Sequence, residues 1–213
     1  MASTSSKTVI AAQPSPGNVL FPEIPPMRAP YLEYVYRLQA VMESGPRAGY
    51  DIKKPYGGST TRSVMNVVGG LVKGPGINGI VVPSSGADWA EELYCDKVYY
   101  RLDARYAIQT DDGHFIYIKA KGLYRLGPNV PFDPTKPKPP HRSQDSLEYF
   151  SHLTFEAGEG PYNWMNSCVC VGVMQSFENQ VCIDCWRLTN FPGVPVEELK
   201  LTKESSLPPR TLS

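Results

Sequence analysis

Two aspartates and an arginine carry the clearest chemical signal in this chain. Asp88 is followed by Trp89. A carboxyl beside an indole loses solvation, which raises its pKa and keeps its proton on, as a general acid requires. An Asp that follows Pro83-Ser84-Ser85-Gly86-Ala87 also suits a turn cap. Asp103 and Arg105 lie two apart in Val98–Thr110, so they project side by side and can pair. On an outer face they make a solvated ion pair. On a lumen wall Asp103 stays ionised and Arg105 offers a planar fork to a substrate oxyanion. Tyr106 falls on the other face of that segment, with Tyr100, Leu102 and Ala104. In Tyr162-Asn163-Trp164-Met165-Asn166, Trp164 and Asn166 share a face. They read either as a core indole with a satisfying amide or as a ligand platform. His152, Thr154 and Glu156 form a further candidate trio on one strand face.

Cofactor chemistry finds no foothold. The run Gly69-Gly70 to Gly74-Pro75-Gly76-Ile77-Asn78-Gly79 lacks the Gly-Lys-Ser/Thr of a phosphate loop and the strand–helix junction of a dinucleotide loop. It reads as a strand bend. Cys182-x-x-Cys185 has the spacing of half a zinc site, but no second pair follows, and Cys168 and Cys170 alternate as strand thiols do. The expectation is no cofactor and no metal. An odd count of 5 Cys, with no secretory signal at the start, points to reduced thiols and a cytoplasmic protein. Lys plus Arg and Asp plus Glu are 21 each, so no net field draws the chain to nucleic acid or to an anionic membrane. No apolar run reaches the ~18 residues of a membrane span.

The elements that must position these side chains read as strands. Among 213 residues there are 21 Pro and 18 Gly, which suits short strands cut by turns. Alternation marks Tyr31 to Ala40, two short strands around the Gly-rich bend, and Val98 to Thr110. Asp111-Asp112-Gly113 then turns the chain into His114–Gly122. Further strands are expected in 147–158, 162–175 and 180–188, and a short helix at Val196–Leu201. About eight to ten strands with almost no helix predict an all-β antiparallel fold, barrel or sandwich; the closed barrel, which removes exposed edges and can hold one small ligand, is the form expected. The predicted organisation is a flexible arm at 1–27, a barrel domain at 28–191 with a Pro-rich loop at 127–146, and a tail at 192–213.

The blocks GGLVKGPGINGIVVPSSGADW, LDARYAIQTDDG, FEAG and YNWMN resemble a family of small proteins of unknown function. Ser84-Ser85-Gly86 stands where that family usually has a Gly pair, Met165 replaces a Leu, and the 127–146 loop looks like an insertion. The resemblance implies a lipocalin-like barrel, often a homo-oligomer. The long loop and arm are similar to fungal members, which implies intramolecular hydroalkoxylation in aromatic polyketide biosynthesis. That is a cofactor-free cyclisation of a phenol oxygen onto a prenyl alkene. The family transfers no agreed catalytic residues. From chemistry, Asp88 would deliver the proton and Arg105, held by Asp103, would bind the phenolate. Trp89, Tyr106 and Trp164, with Asn166, would contact the ring system. A non-catalytic barrel that carries an aromatic polyketide is the alternative.

Overall fold

A computed structural model describes residues 9–10, 27–45, 48–95, 97–128, 130–131 and 139–196. Twelve antiparallel strands make one sheet: β1 (Val9–Ile10), β2 (Tyr31–Met42), β3 (Tyr50–Lys53), β4 (Thr61–Lys73), β5 (Asn78–Val81), β6 (Gly86–Cys95), β7 (Lys97–Thr110), β8 (Phe115–Leu126), β9 (His141–Arg142), β10 (Leu147–Ala157), β11 (Cys170–Phe177) and β12 (Gln180–Thr189). The long strands follow one another as a meander, and β2 pairs both β12 and β4, so the sheet closes on itself. β5 and β6 share one place in the ring, between β4 and β7. The result is an eight-position antiparallel barrel, closed as expected. No helix among the described residues is long and apolar enough to cross a membrane.

Alternation also sorts the side chains. On β7, Leu102, Tyr106 and Ile108 are buried inside, and on β10 Leu147, Ser151, Leu153 and Phe155 are buried, while His152, Thr154 and Glu156 stand exposed outside. The trio on β10 therefore faces solvent. Tyr36, Leu38, Val72, Ile116 and Ile118 fill the interior between these strands. Residues Asn163–Ser167 form a 3-10 turn, not the strand expected there, and bury Met165 against one end of the barrel. This end is called the floor below. At the opposite end, the mouth, β3 was missed because its four residues lie between Gly and Pro clusters and are all exposed, with no buried face. The stretch from Thr61 to Lys73 is a single strand rather than a short one, and the bend follows it. The two-residue β1 pairs with Leu32 and Glu33 of β2. The helix expected at Val196–Leu201 lies outside the described residues from 197 onward.

Two glycines let strands approach closely. A Cβ on Gly70 would sit 2.0 Å from the Gln39 carbonyl oxygen, and one on Gly86 would sit 1.7 Å from the Arg105 carbonyl oxygen. Those contacts are with backbone, so no side chain can yield. The Gly-rich stretch thus serves strand packing. Gly86→Ala is expected to cost about 3 kcal/mol, seen as a thermal midpoint lowered by roughly 6–12 °C. An unchanged midpoint in thermal denaturation would show that β6 and β7 can separate at that point.

Candidate functional site

Asp88 lies on β6, within a strand and not at a turn. Its side chain points into the barrel and the residue is 7% exposed. The β6–β7 ladder pairs Asp88 with Ala104 and Glu91 with Arg101 but leaves Trp89 and Ala90 unmatched. The Asp103 amide, freed there, donates to Asp88 Oδ1 at 3.1 Å. Burial pushes the Asp88 carboxyl up to about 6, the Asp103 amide opposes the rise, and the Asp103 charge adds to it. The desolvation expected from Trp89 comes instead from the barrel interior, because Trp89 alternates to the outside.

The carboxyl opens onto a cavity of about 40 Å³, lined by Met42, Leu102, Ala104, Tyr106, Tyr149 and Ser151 among others. That is space for about one water, and the cavity is partly open. Tyr106 is buried, and its hydroxyl has no hydrogen-bond partner among the described residues. Towards the mouth, Tyr149, Tyr124 and Tyr100 make an edge-to-face series with centroids 5.2 and 5.8 Å apart. The Tyr100 hydroxyl donates to Glu92 at 3.0 Å, and burial together with this carboxylate pushes Tyr100 up to about 12. Burial also raises Tyr149, with the Asp88 charge contributing. A carboxyl that keeps its proton in mildly acidic solution thus sits in a cavity that Tyr106 and Tyr149 line. It can hand a proton to a group that enters the cavity.

The other expected residues lie elsewhere. Asp103 and Arg105 pair on the outer face, with bonds of 3.2 and 3.1 Å and side chains 29% and 48% exposed. This corrects the lumen-wall reading: Leu102, Ala104 and Tyr106 take the inner face, so period-2 alternation sends Asp103 and Arg105 outward. The Arg105 guanidinium lies 5.9 Å from the Trp89 ring centroid, also outside. Trp164 packs against the core at the floor. Asn166 is exposed there, and its side-chain amide bonds both the Ala157 amide and carbonyl, at 2.7 and 2.8 Å. Among the expected residues only Asp88 and Tyr106 meet at the cavity.

Sequence reasoning missed Tyr124, Tyr149, Glu92 and Arg142. The alternation Leu147, Tyr149, Ser151, Leu153 held the signal for Tyr149. Arg142 sits in the Pro-rich connection, where no periodicity exists to place it. Cys182 and Cys185 occupy β12, with Cys185 fully buried, and no group of three His, Cys, Asp or Glu among the described residues is placed to hold a metal ion.

Comparison with known proteins follows the fold. The family described as "Protein of unknown function (DUF3237)" matches residues 30–188. A UPF0311 protein of Rhodopseudomonas palustris is 33% identical over 128 residues, covering 60% of this chain and 80% of the relative. A β-barrel-like protein from Acinetobacter baumannii superposes with a TM-score of 0.59 at 22% identity, over 74% of this chain and 95% of that one. An enzyme from Penicillium herquei superposes with a TM-score of 0.48 at 21% identity, over 75% and 95%.

Proposed function

We propose, starting from a chain that belongs to the DUF3237 family of proteins of unknown function, that this barrel is a cofactor-independent cyclase. Its reaction is the addition of a phenol oxygen across the alkene of a prenylated aromatic polyketide such as a phenalenone. The observation that carries this reading is the buried carboxyl of Asp88, pushed up to about 6, in a cavity that Tyr106 and Tyr149 line. The motif resemblance to fungal cyclising members agrees with it.

Neither the polycycle nor its prenyl chain fits a cavity of about 40 Å³, so the ring system rests at the mouth among Tyr100, Tyr124 and Tyr149, and these side chains must shift for the alkene to reach Asp88. The Asp88 proton goes to one alkene carbon. The phenol oxygen forms the C–O bond to the other, and the proton it sheds restores the Asp88 carboxyl. The net change is O–H across C=C, with no electrons gained or lost. Tyrosine faces shelter the developing positive charge by about 0.5–2 kcal/mol. Fixing one alkene face is an orientation effect, and each ~1.4 kcal/mol of preference gives tenfold in product ratio. The free thiols Cys168, Cys170, Cys182 and Cys185 support a site of action in the reducing cytoplasm. The exposed stripe of Leu71, Ile80 and Phe115, aligned across β4, β5 and β8, supports self-association.

Chiral chromatography of a prenylated aromatic phenol, incubated with and without the protein, tests the reading. The expected result is faster ring closure with one enantiomer in excess. Saturable binding with an unchanged rate and a racemic product would make the protein a carrier of aromatic polyketides instead.

A further inference from the structure

We propose that Arg142 forms an oxyanion site at the barrel mouth, which takes the ionised oxygen of an aromatic ligand while Tyr124 and Tyr149 flank its ring. The proposal rests on the cyclase reading for its role but on separate atoms for its existence.

Arg142 belongs to β9, two residues that interrupt the Pro-rich connection between β8 and β10. Three ties hold β9 at the rim of the mouth, beside the end of β11. It pairs through Ser176 and Phe177 of β11, the Glu178 amide donates to the Pro140 carbonyl at 2.5 Å, and the His141 ring meets Phe177 edge-on at 5.9 Å. The guanidinium reaches the Tyr124 hydroxyl, which it holds below the value that burial alone would set. Its Nε is shielded from solvent and has no hydrogen-bond partner among the described residues. None of the ion pairs among the described residues includes Arg142.

A donor atom of a cation closed off from water without an acceptor is costly, and the neutral Tyr124 hydroxyl does not match the charge of this half-buried guanidinium. An anionic oxygen does. The planar fork suits one held beside an aromatic ring, where a lysine would supply only a point charge. Tyr124 meets Tyr149 at 5.2 Å, and Tyr149 lines the Asp88 cavity. One aromatic ligand at the mouth would therefore set its oxygen at Arg142 and extend a substituent towards Asp88. The cation that the sequence suggested at Arg105 is supplied by a loop residue instead.

The test uses 2,4-dinitrophenolate and its methyl ether 2,4-dinitroanisole, of similar shape but uncharged. Binding is measured by calorimetry on the full chain, in mildly acidic buffer where the phenol is ionised and Asp88 keeps its proton. The phenolate is expected to bind about tenfold or more tightly than the ether. Arg142→Gln is expected to erase that preference, Arg142→Lys to restore part of it, and Asp88→Asn to leave it intact. Equal affinity of the wild-type protein for the two probes, or no binding of either, overturns the proposal. So does a preference that survives Arg142→Gln. Because these outcomes need no turnover, a barrel that binds the phenolate but closes no ring would sink the cyclase reading and leave the oxyanion site standing.

Discussion

Replacing Asp88 by Asn is expected to produce a protein that is more stable at neutral pH and almost inactive. Removing a positioned proton donor typically costs about 10²–10⁴ in rate. Stability moves the other way. The folded chain releases the Asp88 proton near pH 6, against 3.8 for an aspartate carboxyl in water. Between those values the unfolded state has given up a proton that the folded state keeps. The stability this carboxyl contributes is thus fully present below the lower value, declines as pH rises, and is at its minimum above the upper one. A shift of this size corresponds to roughly 3 kcal/mol. The uncharged amide escapes that deficit and keeps an oxygen to accept the Asp103 amide. At neutral pH the variant's thermal midpoint should rise by as much as about 6–12 °C, and the difference should shrink in acid. Wild-type turnover should decline above about pH 6, as the donor ionises. Thermal denaturation and a rate profile over the same pH range check both halves. Full turnover in Asp88→Asn removes Asp88 as the proton source, and an unchanged midpoint removes the desolvated carboxyl.

The largest loss of stability is expected at the barrel floor, from the ion pair between β2 and β12. Arg187 Nε donates to Glu33 Oε2 at 2.7 Å, with side chains 7% and 1% exposed. The rest of the pair is used too: Arg187 donates to the Val194 carbonyl at 2.6 Å, and the Gly193 amide donates to Glu33 Oε1 at 3.1 Å. The pair therefore fastens the closing seam of the barrel and the chain that follows β12. Arg187→Met alone strands a buried carboxylate, and such a break costs about 3–5 kcal/mol. Glu33→Leu strands the guanidinium at a similar cost. Combining the two replaces both charges with apolar volume, and the double variant should be less destabilised than either single one. Denaturant midpoints of the four proteins give the coupling. Additive losses would show that the two charges do not depend on each other.

How these two sites stood in the sequence differs in an instructive way. Glu33 alternates with Leu32 and Tyr34 and reads as an outward residue of a strand. The sheet register slips between Cys185 and Trp186, opposite the Tyr34–Tyr36 segment, and Val35 has no partner. One residue of slip exchanges inside for outside. Glu33 is buried through that bulge, which no local pattern announces.

Alternation by itself determined that the chain is all-β, and it divided Val98–Thr110 correctly into two faces, because side-chain direction along a strand is a local property of period two. The neighbouring Trp89 marked Asp88 as the aspartate whose proton would be hard to lose, although the burial that holds the proton comes from the barrel interior. Which face turned inward, however, is settled only when eight strands meet around one interior. That collective choice of the larger apolar area sent Asp103, Arg105 and Trp89 to solvent and Tyr106 to the core. Likewise, nothing local could bring Arg142 from a Pro-rich connection to the Tyr124 hydroxyl. That neighbourhood exists because strand pairing sets β8, β10 and β11 side by side and β9 against β11, and proximity between residues distant in the chain is a property of the assembled sheet.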